Sequence, residues 1–314
     1  MREYDQIEAS EELNKLEKPN KLEKLNMLDK PNKLRLHPTA ALVILWSLPL
    51  YAGGLAPVRE FVEMLDLSSG EDLVRRCDAI CDWYGEVILN RKHFIKSLVE
   101  KLLAESENRV GKEMQIVILA AGKSPLALEL LIEASSRIAR IFEVDLAGIE
   151  EKMKLYSRLA PDIALKLRCL TADVTSDDLL FRLAGEGFNP EAPSIILMEG
   201  ISYYLPKEDL EKIVSKFRSG GRNQFIVEYL VPCSELKSAR RTIPKGIFSL
   251  IRKEAGADGT ICYTELELSR MFQRSGGREI SCTDMSEMEL LRLGFNKRFC
   301  ERKDGWIKCF LGAV

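Results

Sequence analysis

Four short segments, each closing an apolar run, carry the residue types best suited to holding a polar ligand: AAGKS (120–124), EVD (143–145), TADV (171–174) and MEG (198–200). Gly122 lets the backbone pass close to a ligand, and the N–H groups opening a following helix would be free to meet it. The segment is no Walker loop, because Val117 stands five positions before Gly122, where that motif needs glycine. Asp145, 23 positions beyond Gly122, could accept hydrogen bonds from both hydroxyls of a ribose. A helix-capping or surface acid is its competing role. Asp173 could receive the exocyclic amine of adenine, or cap the helix expected after Thr175. Glu199 ends an otherwise apolar run, where an acid costs free energy unless it is paired or faces a polar ligand. Its signal is the strongest of the four.

These segments need a scaffold that brings them to one edge. QIVIL (115–119), RIFEVD (140–145), LRCLTAD (167–173), SIILMEG (194–200) and QFIVEYL (224–230) read as strands, with helical stretches such as 126–138 and 149–159 between them. Strands alternating with helices predict parallel βαβ units, hence an α/β, doubly wound sheet whose ligands bind beyond the carboxyl ends of the strands. Apolar runs without alternation suit strands covered on both faces. After the helix of 264–277, the pattern predicts a strand at REISCTDM and an antiparallel hairpin over 297–314, turning at Asp304-Gly305. Upstream, 37–109 reads as a helical cap, with helices over 58–65, 71–88 and 93–105. Residues 1–36, nearly all Glu, Lys, Asn, Leu, Asp and Pro, read as a charged arm whose spaced leucines could dock on a second subunit. The remaining 110–314 form the ligand-binding domain, with an insert at about 231–262.

Composition excludes several classes. With 46 basic against 48 acidic residues, the formal charge of −2 gives no expectation of a nucleic-acid partner. Eight cysteines without CxxC pairs, and only two histidines, predict neither a disulfide scaffold nor a metal site. The uncharged stretch 40–56 contains Pro49 and Gly53-Gly54 and follows a long charged segment, so it reads as a buried helix and turn. The expectation is a cytoplasmic protein without a membrane partner.

In order along the chain, QIVILAAGKSPLALEL, FEVDLAGIEEKM and TADVTSDDLLFRLAGEGFNPEAPSIILMEGISYYLP resemble the leucine carboxyl methyltransferase family, over roughly residues 90–211. The resemblance implies a class I, Rossmann-like methyltransferase fold and the cofactor S-adenosyl-L-methionine. It implies that Gly122 lines the methionine moiety, Asp145 the ribose, Asp173 with Val174 the adenine, and that Glu199 sits near the methionine amino group. NRKHFIK (90–96) resembles the family's N-R-x-x-F-x-R, whose last basic residue pairs with the methionine carboxylate; here it is Lys96, without arginine's bidentate fork. The family usually has G-A-G where this chain has Ala120-Ala121-Gly122, and a methyl group at 120 could crowd the cofactor or shift the loop.

The implied reaction is O-methylation of a carboxylate or another oxygen nucleophile, on an acceptor the sequence does not identify. A carboxylate is ionised near neutral pH and needs no general base, so none is assigned. Tyr203 and Tyr204 could orient the acceptor or pack in the core. Arg240, Arg241, Lys245, Arg252 and Lys253 of the insert could draw an anionic substrate or form a solvated face. Two rivals remain: a methyltransferase-like scaffold without activity, and a nicotinamide-dependent oxidoreductase. The absence of G-x-G-x-x-G counts against the second.

Overall fold

A computed structural model describes residues 33–110 and 113–314, the side chains of 108–110 excepted. The expectations for an arm and its subunit docking lie, up to residue 32, outside the described residues. The chain divides at Lys33 and Leu34. Leu34–Arg35, read above as part of the arm, instead forms strand β1, which pairs in parallel with β2 (Leu65–Asp66), and Leu36 is buried.

The cap is helical, as the three- and four-residue spacing predicts. It comprises α1 (Pro38–Ala52), α2 (Ala56–Glu63), α3 (Glu71–Asp78) and α4 (Gly85–Val110). One helix was expected over 71–88. The chain breaks instead at Ala79, α4 starts at Gly85, and the turn between buries Cys81 and Tyr84. The uncharged stretch 40–56 is α1 with a turn at Gly53-Gly54; among the described residues, no helix is long and apolar enough to cross a membrane.

The main sheet has seven strands among the described residues: β3 (Met114–Leu119), β4 (Ile138–Asp145), β5 (Leu167–Thr171), β6 (Ser194–Met198), β7 (Gln224–Leu230), β8 (Arg278–Asp284) and β9 (Ile307–Ala313). Their spatial order is β5-β4-β3-β6-β7-β9-β8. The five strands from β5 to β7 are parallel, and β9 runs antiparallel between β7 and β8. Every residue of β3, β6 and β9 is buried, as unalternated apolar runs require. Helices α5 (Leu126–Ala134), α6 (Ile149–Leu159), α7 (Pro161–Ala164), α8 (Leu179–Gly185) and α9 (Lys207–Lys216) connect the parallel strands. The insert contributes α10 (Thr242–Ala255), which packs on α1 and α3 of the cap, and α11 (Glu265–Arg274) leads into β8.

The antiparallel ending is present, but not as a hairpin at Asp304-Gly305. Helix α12 (Met285–Leu293) and a loop separate β8 from β9. Buried Glu289 of α12 accepts the N–H groups of Lys297, Arg298 and Phe299, tying 297–299 into a loop rather than a strand. Asp304 accepts from Glu301 N–H, and Gly305 is extended at φ −106°, outside the geometry a two-residue hairpin turn needs.

Candidate functional site

Register alone sets three of the four segments side by side; the fourth, opening at Thr171, pairs with Asp145 one strand further out, and its Asp173 and Val174 do not line the cavity. Leu119 pairs with both Val144 and Met198, so the next residues on the three strands, Ala120, Asp145 and Glu199, come out as lateral neighbours. Met198 also pairs with Val227, which sets Glu199 beside Glu228. Strand order reverses between β3 and β6, the place where open α/β sheets bind ligands. A cavity of about 210 Å³ lies here, lined by 120–124, Glu143, Glu199 and Gly200 and, from α4, by Arg91 and Lys92.

The turn after β3 is tight. Ala120 has φ +56° and Gly122 φ +54°, both in the left-handed region. Ala121 N–H donates to Val144 O at 3.0 Å, and Gly122 N–H donates to the Asp145 carboxylate at 2.7 Å. Nothing lies within 4 Å of where a Gly122 side chain would start, so a ligand can approach the backbone there. The methyl of Ala120 has therefore not unmade the turn; the chain adopts a glycine-like conformation with an alanine.

Around Glu199 the charges are paired. Lys92 Nζ lies 2.9 Å from its carboxylate and donates to Ser124 Oγ at 3.2 Å. Arg91 bridges the two neighbouring acids, 3.1 Å to Glu199 and 3.1 Å to Glu228. Glu228 also accepts Gly200 N–H at 2.6 Å. Burial works to raise the Glu199 carboxyl, but Lys92 and Arg91 outweigh it and hold the group below its usual range. Burial pushes the Glu228 carboxyl up, with Arg91 opposing, so proton affinity separates within the pair. Deeper on β4, buried Glu143 pairs with buried Lys152 at 2.7 Å.

The remaining expected residues sit differently. Lys96 is paired with Glu100 at 2.7 Å and with Glu133, in an adjoining chamber of about 380 Å³ that also holds Lys92, His93, Glu129 and Glu199. Asp173 is exposed and accepts from the N–H and hydroxyl of Thr175, which hold its carboxyl below the usual range; Val174 is buried. Tyr203 and Tyr204 both line the cavity. Burial keeps their phenols protonated, with the Tyr204 hydroxyl pushed up to about 12.

Sequence reasoning missed Arg91, Lys92, Lys123, Lys152 and Glu228. Glu228 interrupts an apolar strand just as Glu199 does, so the same signal would have found it. Arg91 matches the arginine of N-R-x-x-F-x-R but only that motif's last basic residue was given a role, and Lys92 carried no signal, since basic residues on helices are ordinarily solvated. Lys123, the residue after Gly122, reaches across to Gly148 O at the start of α6, and burial holds its amine below the usual range.

Residues 74–218 match the family model "Leucine carboxyl methyltransferase". That match, over a little under half of the chain, is a similarity to the leucine carboxyl methyltransferase family. A protein of Parafrankia sp. (strain EAN1pec), provisionally named an S-adenosyl-L-methionine-dependent methyltransferase, is 27% identical over 172 residues, covering 54% of this chain and 53% of its own. A Mycobacteroides abscessus protein of the same provisional name is 32% identical over 152 residues, covering 46% of each chain. The matches thus span about half the length of either relative. A crystal structure provisionally described as a methyltransferase, from Thermobifida fusca YX, matches 91% of this chain and 97% of its own at a TM-score of 0.61, with 14% identity. The fold is therefore a methyltransferase fold. Gly122, Asp145, Asp173, Val174, Glu199, Lys92 and Lys96 all lie inside the matched segment, whereas Glu228 and the insert lie outside it.

Proposed function

We propose that the chain is an S-adenosylmethionine-dependent methyltransferase acting on an oxygen nucleophile, a carboxylate foremost. The observation that carries this reading is the cavity at the strand-order reversal, where the turn of 120–124 stands open beside Asp145 and Glu199. The residues present fit the cofactor. Gly122 leaves room for the methionine chain, and the Asp145 carboxylate, with one oxygen on Gly122 N–H, has acceptor capacity left for ribose hydroxyls. Asp173 and Val174 would meet the adenine. Glu199 would receive the methionine ammonium, and Lys92, beside Glu199 and Ser124 on the cavity wall, would meet the methionine carboxylate, whereas Lys96 lies in the adjoining chamber with Glu133.

When bound, S-adenosylmethionine supplies an electrophilic methyl group on a sulfonium. The chain's own task is to position the acceptor and exclude water, since an ionised carboxylate has no proton to lose. The cavity's acids Glu143 and Glu199 are ion-paired and its phenols protonated, which suits an acceptor that needs no base. Incubation with methyl-labelled cofactor and carboxylic acids tests the reading. Label should appear in a base-labile ester; label in a base-stable N- or C-methyl product would contradict O-methylation.

A further inference from the structure

The chamber of about 380 Å³ adjoins the cofactor's cavity along Lys92, Ser124, Leu126 and Glu199, which line both. Its other walls come from the end of α1 and the turn after it, from α4 and from α5. Leu50, Leu55 and Leu126 make one side apolar, and Lys92, Lys96, Glu129, Glu133 and Glu199 bring charge.

Those charges are not all matched. Lys96 is held by Glu133 and Glu100, and Lys92 by Glu199 and Ser124. Among the described residues, half-buried Glu129 makes no hydrogen bond and no ion pair, alone among the chamber's acids. Burial raises its carboxyl to about 7; Lys96 and Lys92 oppose this from farther off, while Glu133 and Glu100 add to it. The phenols of Tyr51 and Tyr156, which feel its charge, are themselves pushed up by burial and stay protonated. Burial, Arg292 and Lys96 hold the His93 ring below its usual range, so it adds no positive charge near neutral pH. A carboxylate so placed either keeps a proton or takes a cation. An ammonium on an alkyl chain would match both sides of the chamber. An anionic ligand would meet Glu129, Glu133 and Glu199, and a neutral one would leave Glu129 unmatched.

We propose that this chamber is a second ligand site, for a small primary alkylamine whose ammonium pairs with Glu129 and whose hydrocarbon lies along Leu50, Leu55 and Leu126. The site goes beyond the methyltransferase reading and does not require the cofactor. Calorimetric titration of the full-length protein with hexylamine, hexanol and hexanoate, with and without saturating S-adenosylhomocysteine, tests it. Hexylamine should bind, and the alcohol and the acid should bind at least about tenfold more weakly. At pH 7 about half of the Glu129 carboxyls carry a proton, which the ammonium would displace. Titrations in phosphate and in Tris should therefore differ by the heat of taking up about half a proton per amine bound. Affinity should fall by up to about tenfold per pH unit below 7. Glu129→Gln keeps the shape and removes the charge; it should weaken hexylamine at least about tenfold, abolish the proton release and leave hexanol unchanged. Glu129→Asp, with the carboxylate one methylene short, carries the test if that variant does not fold, by weakening hexylamine and not hexanol. Hexylamine that does not bind, hexanol or hexanoate binding as tightly, an enthalpy independent of buffer, or Glu129→Gln without effect would each overturn the proposal. So would displacement of the amine by S-adenosylhomocysteine, which would put it on Glu199 in the cofactor's place. Binding of the homocysteine without the amine defeats only the chamber site, and the converse defeats only the cofactor.

Discussion

Ala120 shows how far a single residue can depart from a pattern while the local geometry survives. At φ +56° its Cβ crowds the backbone, a strain of about 1–2 kcal/mol relative to glycine. Ala120→Gly should therefore raise stability by about 1 kcal/mol in urea unfolding, after the extra chain entropy of glycine is counted. An unchanged midpoint would mean that the turn relaxes to another geometry. Glu199 required a revision of a different kind. As an acid ending an apolar run it was legible as unusual, but the sequence could not show that Lys92 and Arg91 already neutralise it. Glu199→Gln should consequently destabilise the protein by about 2 kcal/mol, because Arg91 keeps only Glu228 and Lys92 keeps only Ser124. Equal melting temperatures for the two proteins would show that the cations are satisfied elsewhere.

At the scale of elements, apolar runs and helical spacing gave every parallel strand to within a few residues. They failed where one side chain reorganises a loop. Glu289 lies in α12, and nothing in its neighbours signals that it accepts three N–H groups from 297–299. Asp304-Gly305 therefore looked like a hairpin turn when read locally. Glu289→Ala should cost about 2–3 kcal/mol, since it removes the charged acceptor of three backbone N–H groups, that of Phe299 buried; a loss below about 1 kcal/mol in urea unfolding would contradict this role. Helix α5 carries a second consequence of placement. Burial pushes the Glu129 carboxyl from its ordinary 4.5 up to about 7, with Lys96 and Lys92 opposing. The folded protein then holds a proton that the unfolded chain releases across that interval, so stability falls as pH rises from 4.5 to about 7. Glu129→Gln should flatten this decline, a difference of about 3 kcal/mol at pH 8, read from melting temperature against pH. A decline of the same slope in the variant would assign it to another group.

The whole molecule places a cap and an insert against the carboxyl edge of a doubly wound sheet, and the cavity takes walls from all three. The parallel strands and their carboxyl edge were legible because apolar patterning marks where each strand ends; their spatial order was not read from it. The walls were not, because which face of α10 turns inward depends on packing across about two hundred residues of separation, beyond any local pattern. That packing turned Phe248 and Ile251 inward and left the basic residues elsewhere. The account stands on the cofactor. Calorimetric titration of S-adenosylhomocysteine into the full-length protein and its Asp145→Ala variant tests this most directly. Saturable binding to the first should weaken by about 1.5–3 kcal/mol in the second, with the fold retained, because ribose hydroxyls lose a charged acceptor. No binding to the unaltered chain would contradict a methyltransferase, and equal binding to both proteins would remove Asp145 from the site.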